Sequence, residues 1–189
     1  MNKLIILASG SGSNALKIIK YFENQNDTTV TAVLTDNRQA GVLDKCKALH
    51  IPTLYFSAAL FRSSAFIDLL NSFGPDLIIL AGFLKKIPSE VIAEYPDKII
   101  NIHPSLLPKY GGKGMYGAHV HQAVKENNEP ESGISIHYVN ENYDEGQIIA
   151  QFKVALDSQD NAEQIAKKVQ QLEHLHFAPT IATLLKNNE

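Results

Sequence analysis

The sequence predicts an α/β fold: a doubly wound, mostly parallel sheet with helices on both faces. Three observations point to it. Short aliphatic runs alternate with stretches of helical periodicity through the first two thirds of the chain. Most of those runs are apolar at every position, as strands covered on both faces are. The first run leads directly into a glycine-rich turn, Ser9-Gly10-Ser11-Gly12-Ser13-Asn14-Ala15, and then a helical pattern, which gives the N-terminal half a Rossmann-like character. The 189 residues fit one domain, with halves of about 1–100 and 101–189.

Taken in order, the strand patterns cover residues 4–8, 30–35, 53–55, 77–80 and 99–102. Between the first two, Ala15, Leu16, Ile18, Ile19 and Phe22 recur at helical spacing, with Ser13 or Asn14 as the expected N-cap. Further helices are expected over 41–49, 63–73, 88–95 and 117–127. The last third reads differently: 134–139 and 148–154 are expected as later, mixed strands, with Tyr143-Asp144-Glu145-Gly146 as a turn between them. A closing helix is expected from near Asp160, with Glu163 as its capping pair and Ile165, Val169, Leu172 and Leu175 or His176 facing the sheet. Pro179 is expected to kink or end it.

Composition narrows the function. Hydrophobic residues at 44% and charged residues at 20% exclude disorder, collagen-like repeats and coiled coil. A net charge of −3 supplies no basic field for nucleic acid or an anionic membrane. Cys46 alone cannot build a disulfide framework or a Cys-based zinc site, and it fits a reducing compartment. The longest apolar run, 77–84, is far short of the ~20 residues of a membrane span. The N-terminal apolar run is also shorter than a secretory signal requires. A cytoplasmic protein acting on small molecules is expected, as a monomer or homodimer, with no nucleic acid, membrane or metal partner.

Two clusters of residues carry chemistry. The glycine-rich turn opens a helix, where backbone amides and the positive helix end can hold a phosphate. It matches G-x-G-x-x-A, and Asp36 follows about twenty residues on, as a dinucleotide site would have it. The extra serine and asparagine donors suit a terminal phosphate monoester equally well, and the turn alone does not choose between them. After the fifth strand comes Asn101-Ile102-His103-Pro104-Ser105-Leu106-Leu107-Pro108. Alternation puts Asn101 and His103 on the same side of the strand end, where open α/β sheets bind ligands. An amide donor beside an imidazole can steady an oxyanion and move a proton. By itself that pair also fits a strand-end histidine bonded to backbone.

The pattern becomes specific further on. N-I-H-P-S-L-L-P, then S-G-x-x-x-H-x-V from Ser132, then D-x-G-x-I-I from Asp144 resemble the signatures of folate-dependent formyltransferases. The G-S-G-S-N start and Gln170-Gln171-Leu172-Glu173-His174 resemble the branch whose acceptor is phosphoribosylglycinamide. The resemblance implies that Gly12, Ser13 and Asn14 bind the acceptor's phosphate and that Glu173 helps to hold the acceptor. It implies Asn101, His103 and Asp144 as the catalytic trio, with Asp144 supporting a protonated His103. Phe83, Leu84, Lys85, Lys86 and Ile87, with Asn101 and the 140–144 loop including Asn140 and Asp144, would line the pocket of the co-substrate 10-formyltetrahydrofolate. The N-terminal half would thus bind phosphate, and the C-terminal half would hold the catalytic and folate residues.

Some features depart from the resemblance. Where the family often has arginine after A-G-F, this chain has Leu84-Lys85-Lys86, and Arg62 is out of register for the family's other basic folate contact. The glycine-rich stretch 109–117 reads as a mobile lid. His137 is expected to orient the site rather than react, and Ser105 and Cys46 have no case as nucleophiles. The pairs His119/His121 and His174/His176 are at i,i+2, a poor spacing for metal ligands on a helix. Two rival readings are a nicotinamide-dependent oxidoreductase, resting on the glycine turn and Asp36, and a sugar-phosphate binding module without catalysis. Methionyl-tRNA or water as acceptor is set aside because those members usually carry a further domain.

Overall fold

The computed structural model describes residues 1–187. Met1–Ile100 and the residues from Asn101 onward form two compact units. The first contains β1 (Asn2–Leu7), α1 (Ser13–Phe22), β2 (Thr28–Thr35), α2 (Val42–Ala48), β3 (Thr53–Tyr55), α3 (Ala58–Phe61), α4 (Ser64–Phe73), β4 (Leu77–Leu80) and α5 (Ser89–Glu94). After β5 (Ile99–His103) come α6 (Ala118–Glu126), β6 (Glu131–Tyr138), β7 (Ile148–Ala155) and α7 (Ala162–Asn187). The strand order in the sheet is β3-β2-β1-β4-β5-β6-β7. This is the mostly parallel α/β sheet expected from the alternating pattern.

In the first unit, β1 lies parallel to β2 on one side and β4 on the other, and β2 to β3. Leu4, Ile5, Ile6 and Leu7 of β1 and all four residues of β4 are buried, which is why both strands read as unbroken apolar runs. Strand order reverses at β1/β4, and the crevice beyond the carboxyl ends there is where such sheets bind ligands. In the second unit β6 pairs antiparallel with β7, and the register shifts between Ile136 and His137. The extra residue there is Ile149 of β7, so β6 keeps its own alternation through His137. β7 is the outer strand, and its alternating half-buried and exposed residues reflect that place.

Four details differ from the expectations. The N-cap of α1 is Gly12, not Ser13 or Asn14. The turn needs a left-handed residue there (φ +71°), and a Cβ on Gly12 would lie 2.4 Å from Val42 Cγ2. The capping pair of α7 is Asn161 and Gln164, each side chain accepting from the other's amide at 2.9 Å. Asp160 is committed elsewhere, to Lys168 Nζ and the Asp157 amide. α7 does not end at Pro179 but runs on to Asn187. Pro179 removes the amide that would bond the Leu175 carbonyl, but Phe177, Ile181 and Leu185 on both sides of it are buried, and that packing holds the helix together across the proline. The short α3 has no counterpart in the pattern; Ser57 caps it by accepting from Leu60 N at 3.2 Å.

Candidate active site

The second unit gathers Asn101, His103, His137 and Asp144. Asn101 and His103 come from β5, His137 from β6 beyond its register shift, and Asp144 from the turn before β7. His103 Nδ1 lies 3.5 Å from Asp144 Oδ2, and His137 Nε2 lies 3.7 Å from Asp144 Oδ1. Asp144 sits at φ +57° and accepts from Gly112 N at 2.9 Å. The turn that carries Asp144 closes tightly on β6: a Cβ on Gly146 would lie 1.7 Å from Tyr138 O, so only glycine fits.

The hydrogen bonds assign protons within this group. His137 Nδ1 faces the Tyr138 carbonyl at 2.8 Å, and a carbonyl only accepts, so Nδ1 carries the hydrogen. Nε2 of neutral His137 is then bare and accepts from Asn101 Nδ2 at 3.1 Å. That contact fixes the Asn101 amide and leaves its second N–H to donate elsewhere. Burial holds the His137 imidazole below its ordinary pKa, with His103 adding to this; the Tyr138 carbonyl and Asp144 oppose it. A neutral, orienting His137 follows. His103 is only 4% exposed, and its Nε2 donates to the Tyr110 carbonyl at 2.7 Å. His121 on α6 is buried as well, and burial, then His103, lowers its pKa.

In the first unit the glycine turn and the 83–87 segment meet at the strand-order reversal. Ser9 N donates to Gly82 O and Leu84 N to Ser9 Oγ, both at 3.1 Å. α1 begins with no side-chain cap and no acidic residue in its first turn, which leaves its positive end open to an anion. Ser13 is half-buried and Asn14 buried. The 83–87 side chains divide. Phe83 joins an aromatic cluster with Phe56 and Phe61 at 6.0 and 5.6 Å between ring centroids, and Ile87 is buried too. Leu84, Lys85 and Lys86 are exposed. Phe83 and Ile87 therefore anchor the segment, and its main chain and the intervening side chains are what it can present to a ligand. Asn140 is exposed and accepts from Asn142 N at 2.9 Å, while Glu173 is half-buried on α7. Among the described residues no group of three His, Cys, Asp or Glu is placed to hold a metal ion.

Residues 2–181 match the profile of the formyl transferase family. The chain belongs to that family. It is 38% identical over 192 residues to the chloroplastic phosphoribosylglycinamide formyltransferase of Arabidopsis thaliana, covering 96% of this chain and 65% of that protein. Phosphoribosylglycinamide formyltransferase of Bacillus subtilis is 35% identical over 194 residues, covering all of this chain and 97% of that protein. The crystal structure of phosphoribosylglycinamide formyltransferase from Bacillus halodurans has a TM-score of 0.89 and 31% identity, with 100% of this chain and 97% of that chain covered. The chain spans 65% and 60% of the length of the two chloroplastic relatives. Nothing in these likenesses supports the nicotinamide-dependent or non-catalytic readings.

Several contacts around Asn101, His103 and Asp144 were not anticipated from the sequence. Gly112 and Tyr110 act through the main chain, so no side-chain motif announces them. Ser135, fully buried on β6, donates to Ser105 O at 2.7 Å and accepts from Leu107 N at 2.9 Å and Gln151 Nε2 at 2.8 Å. It ties the loop after His103 to the strand that carries His137. The alternation Gly133, Ser135, His137 on one face of β6 was the signal that could have found it. Among the described residues no helix is long and apolar enough to cross a membrane.

Proposed function

We propose that this formyl transferase moves the formyl group of 10-formyltetrahydrofolate to the amine of phosphoribosylglycinamide, the acceptor that the names of its relatives give. The observation that carries the reading is the second unit's cluster: a buried imidazole facing a carboxylate at 3.5 Å, beside an Asn101 amide held by His137. The acceptor's amine attacks the formyl carbon, forming a C–N bond and a tetrahedral oxyanion. The free N–H of Asn101 and a protonated His103 stabilise that oxygen, the kind of term that dominates acyl transfer. Asp144, facing that imidazolium, takes the proton that the amine loses, and breaking the bond from carbon to N10 releases tetrahydrofolate as the His103–Asp144 pair returns a proton to N10. No covalent enzyme intermediate and no metal is needed for these steps.

Gly12, Ser13 and Asn14 bind the acceptor's phosphate at the uncapped start of α1, and Glu173 helps to hold its glycinamide. The main chain of 83–87, with Lys85 and Lys86 exposed for the anionic tail, and the 140–144 loop bind the folate. The protein works in the cytoplasm on small molecules, as a monomer or homodimer, without nucleic acid or membrane. A spectrophotometric assay of tetrahydrofolate release, with and without phosphoribosylglycinamide, tests this. Release that requires the acceptor is expected; equal release without it would make the activity a hydrolysis and refute the transfer.

A further inference from the structure

We propose that the main-chain carbonyl of Tyr110, held in place by the Tyr110–Glu129 contact, decides which ring nitrogen of His103 exchanges a proton. The proposal deepens the formyl-transfer reading and rests on it for its role in turnover. His103 Nε2 lies 2.7 Å from the Tyr110 carbonyl oxygen. A carbonyl can only accept, so Nε2 keeps its hydrogen in both the neutral and the charged imidazole. Nδ1 is then the nitrogen that gains and loses a proton, and it is the one facing Asp144 Oδ2 at 3.5 Å. The proton that passes between His103 and Asp144 thus has a defined place, between Nδ1 and the carboxylate. Without the carbonyl, neutral His103 is free to carry its hydrogen on Nδ1 toward Asp144 and to leave Nε2 bare.

The carbonyl does not reach that position by default. Tyr110 is at φ +57°, a left-handed conformation that a non-glycine residue holds only when its surroundings impose it. The imposing group is Glu129, between α6 and β6. Tyr110 Oη donates to Glu129 Oε1 at 2.9 Å, and Lys109 Nζ donates to the two oxygens of the same carboxylate at 2.9 and 3.1 Å. One carboxylate therefore anchors two successive residues of the loop. Burial, with Glu129 behind it, pushes the Tyr110 phenol up to about 12, so it remains a donor at any working pH. Two residues on, Gly112 N donates to Asp144 Oδ2, and a Cβ on the intervening Gly111 would lie 2.6 Å from Leu107 Cδ2. The same loop thus sets both members of the His103–Asp144 pair. Tyr110 and Glu129 are positioning residues: they act through His103.

Ring-¹⁵N NMR of the histidine-labelled protein, free of substrates, tests this, with kcat and KM measured alongside. In the parent, neutral His103 should show a protonated Nε2 and a bare Nδ1. In Tyr110→Phe the ring signals should move toward the average of two interconverting tautomers, and kcat should fall about 10- to 100-fold, as when an outer partner of a functional imidazole is lost. KM for both substrates should stay within about twofold, since no binding contact is removed. Glu129→Gln keeps an acceptor for the phenol and should retain the parent spectrum and most of kcat; Glu129→Ala should behave like Tyr110→Phe and serves if that variant does not fold. A parent His103 with its hydrogen on Nδ1, or an unchanged ring spectrum in Tyr110→Phe and Glu129→Ala, overturns the proposal. Because the spectrum is read without substrate, it stands or falls separately from formyl transfer itself.

Discussion

In the proposed mechanism Asn101 and His103 share one intermediate, and that makes their losses predictable. His103→Ala should lower kcat by ~10²–10⁴, the range for a positioned acid–base group. Asn101→Ala should cost ~10²–10³, mostly in kcat, because its donor matters most once the oxyanion forms. The double variant should lose less than the product of the two, as steady-state kinetics on the three proteins would show. Near-parental kcat in either single variant would remove that residue from the chemistry. At this scale the sequence was legible where a side chain stands in a motif. The Asn101, His103 and Asp144 positions stood in motifs, and the structure gathers them in one place. The Tyr110 carbonyl and the Gly112 amide escaped because a main-chain group is the same at every residue, and only the fold says where it points.

Helix starts show the same division between what a pattern reveals and what packing decides. Gly12 replaces the expected side-chain cap of α1 because Val42 leaves no room for a Cβ, a contact across 30 residues that no local rule contains. Asp160 looked like the cap of α7, but Lys168 and the Asp157 amide claim its carboxylate, and Asn161 takes over. Asn161→Ala should therefore destabilise the protein by about 1 kcal/mol in denaturant unfolding, and Glu163→Ala by only a few tenths. The open start of α1 has a functional counterpart. Under the proposed assignment Ser13→Asp places a carboxylate where the acceptor's phosphate would bind, so KM for phosphoribosylglycinamide should rise by an order of magnitude or more, about 1.4 kcal/mol per decade. KM for the folate should change only a few-fold. Asp36→Ala is the control: a dinucleotide site would need that carboxylate, and formyl transfer should not. If Ser13→Asp weakened the folate and spared the acceptor, the two substrates would be assigned to the wrong segments.

For the whole molecule, the buried histidines set how stability responds to acid. His121 and His137 both have pKa values lowered by burial, so the unfolded chain binds more protons than the folded one below the ordinary histidine value of ~6.5. Stability therefore rises with pH through that window and falls on acidification until both folded-state values are passed. Thermal melts should show Tm dropping between about pH 7.5 and pH 5.5, and His121→Leu should shrink the drop, leaving the His137 share. A flat Tm across that range would mean that both imidazoles protonate without resistance. The sheet itself was readable because strands buried on both faces leave unbroken apolar runs, as in β1 and β4. The continuation of α7 through Pro179 was not, since it depends on the burial of Phe177, Ile181 and Leu185 on both sides of the proline. The most direct test of the proposed activity follows the transferred carbon: ¹³C-formyl-labelled 10-formyltetrahydrofolate, incubated with the protein and phosphoribosylglycinamide and watched by ¹³C NMR. The label should leave the folate and appear as a formamide on the acceptor's nitrogen, at a rate cut by orders of magnitude in His103→Ala. Label released as free formate with the acceptor unchanged, or retained on the folate, would contradict it.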